Sequence, residues 1–65
     1  MFSEYDVVKL KRAHAAQGLE AGAVGAIVMA YDSLPPGYEV EFTDSRGVTI
    51  ALLTLHDDDL ELVEE

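Results

Sequence analysis

Sixty-five residues without a cysteine make one small domain and exclude both a disulfide framework and a thiolate metal site. Thirteen acidic residues against four Lys and Arg give a formal net charge of −9, a field that repels nucleic-acid phosphates and anionic membranes and attracts basic proteins. The hydrophobic share of 49% is that of a folded domain, and no run approaches the ~18–20 apolar residues of a membrane span.

The N-terminal MFSEYD is acidic where a secretory leader would be basic and then apolar, which predicts a cytoplasmic protein. Tyr5 to Lys11 alternates in part, Val8 and Leu10 against Lys9 and Lys11, and predicts a first strand. Ala13 to Gln17 is helix-forming but stops at Gly18, too short for more than a loop or one helical turn. In LEAGAVG, Gly22 and Gly25 bracket a change of direction where glycine supplies positive φ or close backbone approach, and a bulge is expected at the start of the strand that follows. The spacing lacks the Lys-Ser/Thr of a phosphate loop. Ala26 to Tyr31 is a strongly apolar second strand, and Asp32 to Gly37 is a loop by composition.

Tyr38 to Thr43 gives the cleanest alternation: Tyr38, Val40 and Phe42 on one side, Glu39, Glu41 and Thr43 on the other. After a turn at Asp44–Gly47 comes a fourth strand, Val48 to Leu55. Its parity passes from Val48, Ile50 and Leu52 to Leu53 and Leu55, which predicts a bulge or strong twist within it. His56 to Asp59 make a short helical turn, and Leu60 to Val63 a fifth strand. The fold class is therefore all-β: a small antiparallel five-stranded SH3-like barrel over residues 1–65, with a short helical turn before the last strand. An OB-type barrel competes but usually needs a longer chain and a helix. The expected core is Val8, Leu10, Ile27, Val40, Phe42, Ile50, Leu53, Leu60 and Leu62.

The blocks YDVVKLK, GLEAGAVGAIVMAY, YEVEF and TIALLTLHDDDLELV resemble, in order and spacing from Tyr5 to Val63, a family of very short bacterial proteins known only as a domain of unknown function. Ala23 departs from the acidic residue that such proteins carry after the glycine. The Gly-x-x-Gly-x-Ile-Val block also resembles the KOW motif and the C-terminal barrel of the nitrile hydratase beta subunit. Both resemblances imply an SH3-like fold, but the basic residues of nucleic-acid-binding KOW members are absent here. Proteins of the resembled family stand beside a larger uncharacterised protein in two-gene modules, which implies an antitoxin-like or immunity-like role.

Candidate chemistry is sparse. Three adjacent aspartates, Asp57, Asp58 and Asp59, beside His56 do not have the alternating oxygens and glycine of a calcium loop. The expectation is that Asp57 caps the turn while Asp58 and Asp59 face solvent. Ser3, Ser33 and Ser45 lie at a terminus or in turns, and His14 and His56 in loops, with no Ser-His-Asp order. Glu39 and Glu41, ~7 Å apart on one strand face, are explained by solvation, and so small a barrel has no room for an enclosed pocket of ~300 Å³. Tyr5, Tyr31 and Tyr38 compose an aromatic groove only weakly, without Trp. Lys9, Lys11 and Arg12 gather at the end of the first strand and are expected to pair with acids nearby.

The leading expectation is a non-enzymatic interaction module without cofactor or metal, binding a basic protein encoded by an adjacent gene. Glu39, Glu41, Asp57, Asp58, Asp59 and Glu61 would supply charge, and Tyr31, Leu34 and Tyr38 the exposed hot spot. The alternatives are a small-ligand or divalent-cation-binding accessory barrel, and a homo-oligomer formed through edge strands.

Overall fold

The computed structural model describes residues 2–64. Five strands follow in chain order: β1 (Val7–Leu10), β2 (Val24–Tyr31), β3 (Gly37–Thr43), β4 (Thr49–His56) and β5 (Leu60–Leu62). They form one antiparallel sheet in the order β4-β3-β2-β1-β5. The first four strands are a meander, and β5 returns to pair with the far side of β1, Leu60 opposite Leu10 and Leu62 opposite Val8. A 3-10 turn at Ala15–Gln17 and another at Asp57–Asp59 punctuate the chain, so the short helical turn expected before the last strand is present. The sheet is open: β4 and β5 are its two edges, and the ladder does not close into the expected barrel.

Strand limits differ slightly from expectation. Tyr5 lies ahead of β1, in a turn where Asp6 N–H donates to Ser3 O and Tyr5 itself takes a left-handed φ of 72°. Gly37 joins β3, Val48 stays in the preceding turn, His56 completes β4, and Val63 falls outside β5.

Gly22 and Gly25 divide the two glycine roles between them. Gly22 has φ 89° in the turn, a conformation open to glycine at little cost. At Gly25 a Cβ would sit 2.8 Å from the Glu41 carbonyl oxygen and 2.9 Å from the Phe42 ring, so the absence of a side chain lets β2 and Phe42 meet. The β2 bulge lies further along than expected: the register with β3 shifts between Ile27 and Met29.

The core consists of Val8, Leu10, Leu19, Ile27, Tyr38, Val40, Phe42, Leu55 and Leu60, with Leu53 packed against it. Two expected members are outside it. Ile50 is 55% exposed, because cross-strand pairing overrules the parity of the apolar run. Ala51, Leu53 and Leu55 oppose Phe42, Val40 and Tyr38, whose inward side chains draw them inward, and the register shifts between Thr49 and Ala51, which leaves Ile50 as the additional residue. The bulge predicted within β4 is therefore present, at Ile50 rather than at the parity change between Leu52 and Leu53. Leu62 is 44% exposed, because β5 is a three-residue edge with no strand beyond it. Leu19 enters the core from the β1–β2 connection, where reciprocal backbone hydrogen bonds with His14 fix it.

Candidate functional site

The alternation of β3 that sends Tyr38, Val40 and Phe42 inward sends Glu39 and Glu41 to the outer face. Glu41 lies between Ala26 of β2 and Leu52 of β4, and Glu39 between Met29 and Thr54. Both glutamates are half-buried by these neighbours. The Thr49 hydroxyl donates to Glu41 Oε2 at 2.7 Å, and the Thr54 hydroxyl donates to Glu39 Oε1. A carboxylate has about four acceptor positions, so each keeps unused capacity toward an outside donor. Around them the surface is apolar: Met29, Ile50 and Leu52 are each about half exposed.

The aspartates behave differently. Asp57 accepts from the Tyr38 hydroxyl at 2.7 Å, and the same hydroxyl accepts from Phe2 N–H at 3.0 Å. The Phe2 and Tyr38 rings meet edge to face with centroids 5.6 Å apart. Asp59 bends back to accept from His56 N–H at 3.0 Å, and His56 Nδ1–H donates to the Pro36 carbonyl at 2.9 Å. The capping carboxylate is therefore Asp59 rather than the expected Asp57, and Asp58 alone of the three is exposed. Burial raises the Tyr38 phenol above its ordinary value; the Phe2 N–H opposes that shift and the Asp57 carboxylate adds to it.

Tyr38 was expected as an exposed anchor and is instead 1% exposed. Its ring fills the core because β3 and β4 together place it opposite Leu55, and only its hydroxyl reaches a polar partner. Tyr31 and Leu34 are exposed as expected, Leu34 almost completely at the loop after β2. Tyr31, Phe2, Ala30, Asp32, Pro36 and the edge of Tyr38 line a groove of about 190 Å³. Pro35, His56 and the three aspartates line a second depression, of about 370 Å³. Glu61 lies opposite Lys9 across the β1–β5 pair, so its charge has a local counterpart. Apart from Tyr38 in the core and Glu61 on β5, the expected site residues fall into two groups: Tyr31, Leu34 and Asp57–Asp59 at one end of the sheet, and Glu39 and Glu41 on its outer face. Ile50 and Leu52 were read as parts of an apolar strand and are instead the apolar flank of that face. The signal was the competing parity of Val48, Ile50 and Leu52 in a chain too small to cover both faces of a sheet.

Among the described residues no group of three or more His, Cys, Asp or Glu is arranged to hold a metal ion, and no helix is long and apolar enough to cross a membrane. Residues 4–62 match a family described as a domain of unknown function (DUF4926), and the chain belongs to that family. No curated protein and no solved structure matches it.

Proposed function

We propose that this domain is a non-enzymatic interaction module that binds and neutralises, or accompanies, a basic protein, in the manner of an antitoxin or immunity protein. The observation that carries the reading is the outer face of β3 and β4, where Glu39 and Glu41 stand among exposed Met29, Ile50 and Leu52. Affinity in protein interfaces comes from a few desolvated apolar anchors, while charge complementarity speeds encounter and excludes wrong partners. This face supplies both. The net charge of −9 favours a basic protein over nucleic acid or an anionic membrane, and the absence of cysteine fits a reducing cytoplasm.

An SH3-like barrel that stays open along β4 belongs to the same proposal. The strand order supports it, as do register shifts in both β2–β3 and β3–β4 pairing and the shared burial of Leu55 from β4 and Leu60 from β5. The cation-binding alternative would draw on Asp57 and Asp59, which already accept internal hydrogen bonds.

Co-expression with the product of the adjacent gene tests the function. Co-purification at low salt that weakens steeply with added salt, and weakens further in a Glu39→Gln/Glu41→Gln variant, supports it. Failure to recover that protein at any ionic strength removes it. Calorimetric titration with calcium, magnesium and manganese tests the alternative, which requires saturable binding lost on Asp57→Asn.

A further inference from the structure

The two edges of the sheet are protected unequally. β5 is three residues long and carries Glu61 at its centre. β4 is eight residues long, reads TIALLTLH, and contains neither carboxylate, Lys, Arg nor proline. Sheet edges expose rows of unpaired N–H and C=O groups, and folded proteins ordinarily blunt them with short strands, charges, prolines or bulges. Along β4 the row is interrupted by the register shift near Ile50 and, at its last residue, by the His56 N–H donated to Asp59. Ile50 and Leu52 add apolar surface beside it, at 55% and 56% exposure.

We infer that the free edge of β4 is a strand-addition site for an extended, basic segment of the partner. The inference rests on the interaction-module reading above and gives it a place and a geometry. In strand addition the backbone supplies affinity and alternate side chains supply specificity. A strand laid along β4 would extend the outer face, its apolar side chains meeting Leu52 and Ile50. Glu39 and Glu41 lie one strand in from the edge. Side chains of the added strand would therefore start roughly 10 Å from them, two strand spacings away, a gap that a long Lys or Arg and a glutamate bridge together.

A second copy of this chain is the poorer occupant. It would bring another net charge of −9, and its own β4 has no cation to offer Glu39 or Glu41. Only every second side chain of a strand reaches one face, so a segment that carries basic and β-branched residues in turn at every second position satisfies both halves of the surface.

The test uses the whole chain, isotopically labelled for amide NMR, and a short capped peptide with lysine and valine in turn at every second position and threonine between them. Two control peptides accompany it: one with glutamate in place of lysine, and one methylated at every backbone nitrogen, which keeps its charge but cannot donate to a strand. The expected result is saturable shifts and slowed hydrogen exchange centred on residues 49–56. The methylated peptide should bind at least about tenfold more weakly, as the loss of two or more net hydrogen bonds requires. The glutamate peptide should not bind. Leu52→Lys, at an exposed position, should keep the folded spectrum and weaken binding of the lysine peptide.

Equal binding of the methylated peptide, without protection of β4, overturns the inference and leaves the interaction-module reading standing on charge alone. Light scattering that finds a dimer dissociated by Leu52→Lys also overturns it, since a second copy then holds the edge. Absence of any shift at saturating peptide overturns it as well, while the interaction-module reading is decided separately by the co-purification.

Discussion

Glu39 and Glu41 on the outer face and Asp57 to Asp59 at the end of the sheet carry the same charge in different surroundings. Asp57 is committed to the Tyr38 hydroxyl and Asp59 to the His56 N–H, so these carboxylates tie the turn before β5 to β3 and to the last residue of β4. Glu39 and Glu41 accept from threonine hydroxyls on the neighbouring strand, among exposed apolar side chains. An acidic residue bonded into a turn serves the fold, whereas one on an apolar outer face is available to a partner. Counting negative charges along the chain does not separate the two; tracing their hydrogen bonds does.

The sharpest way to break this comparison is through Tyr38, the brace of the aspartate end. Tyr38→Ala empties a core position, and buried aromatic truncations cost about 3–5 kcal/mol. A domain this small holds a similar net stability, so urea titration followed by circular dichroism should find the variant largely unfolded. Tyr38→Phe keeps the ring and removes only the hydroxyl between Phe2 and Asp57. The expected loss is about 1–2 kcal/mol, read as a lower urea midpoint with an unchanged slope.

The same variant carries a pH signature. A phenol whose folded pKa lies above its unfolded value of about 10 binds its proton more tightly in the native state. Its contribution to stability is complete below the unfolded value and falls as pH rises through the folded one. Wild-type stability should decline on the alkaline side of pH 10, and Tyr38→Phe should remove position 38's share of that decline.

Smaller effects distinguish individual carboxylates. Asp57→Ala should cost about 1 kcal/mol through the lost Tyr38 contact, while Asp58→Ala should stay within about 0.5 kcal/mol. If Asp58→Ala is the more destabilising, the assignment of a structural role to Asp57 fails. Glu39→Gln/Glu41→Gln should move the unfolding midpoint least, by about 0.5 kcal/mol or less, yet flatten the salt dependence of partner binding. A large stability loss there would return these glutamates to the fold.

Much of the architecture was legible because punctuation and alternation were clear. Tyr38 to Thr43 alternates between apolar and polar, and its inward and outward faces are those expected from its period of two. Gly18, Gly22 and Gly47 all adopt positive φ at turns that their positions announced. The fourth strand was legible as a strand but not as a surface. A run such as TIALLTL has apolar side chains at both parities, so periodicity cannot say which face is inside. Only the pairing of Leu53 with Val40 and Leu55 with Tyr38 decides it. The acidic site residues were legible as charges and not as roles, because the partner of Asp57 lies on β3, nineteen residues earlier in the chain.

The amino-acid sequence by itself determined the strand count, the turns, the lack of cysteine chemistry and the acidic balance, since these follow from local period, backbone preference and composition. The tertiary structure decided that the sheet stays open, that Tyr38 is core, that Ile50 and Leu52 face outward, and that β4 is left as a long edge without carboxylate, Lys, Arg or proline. These are matters of register and neighbourhood: a strand's inner face is set by the strand it pairs with, and an edge exists only where no further strand arrives.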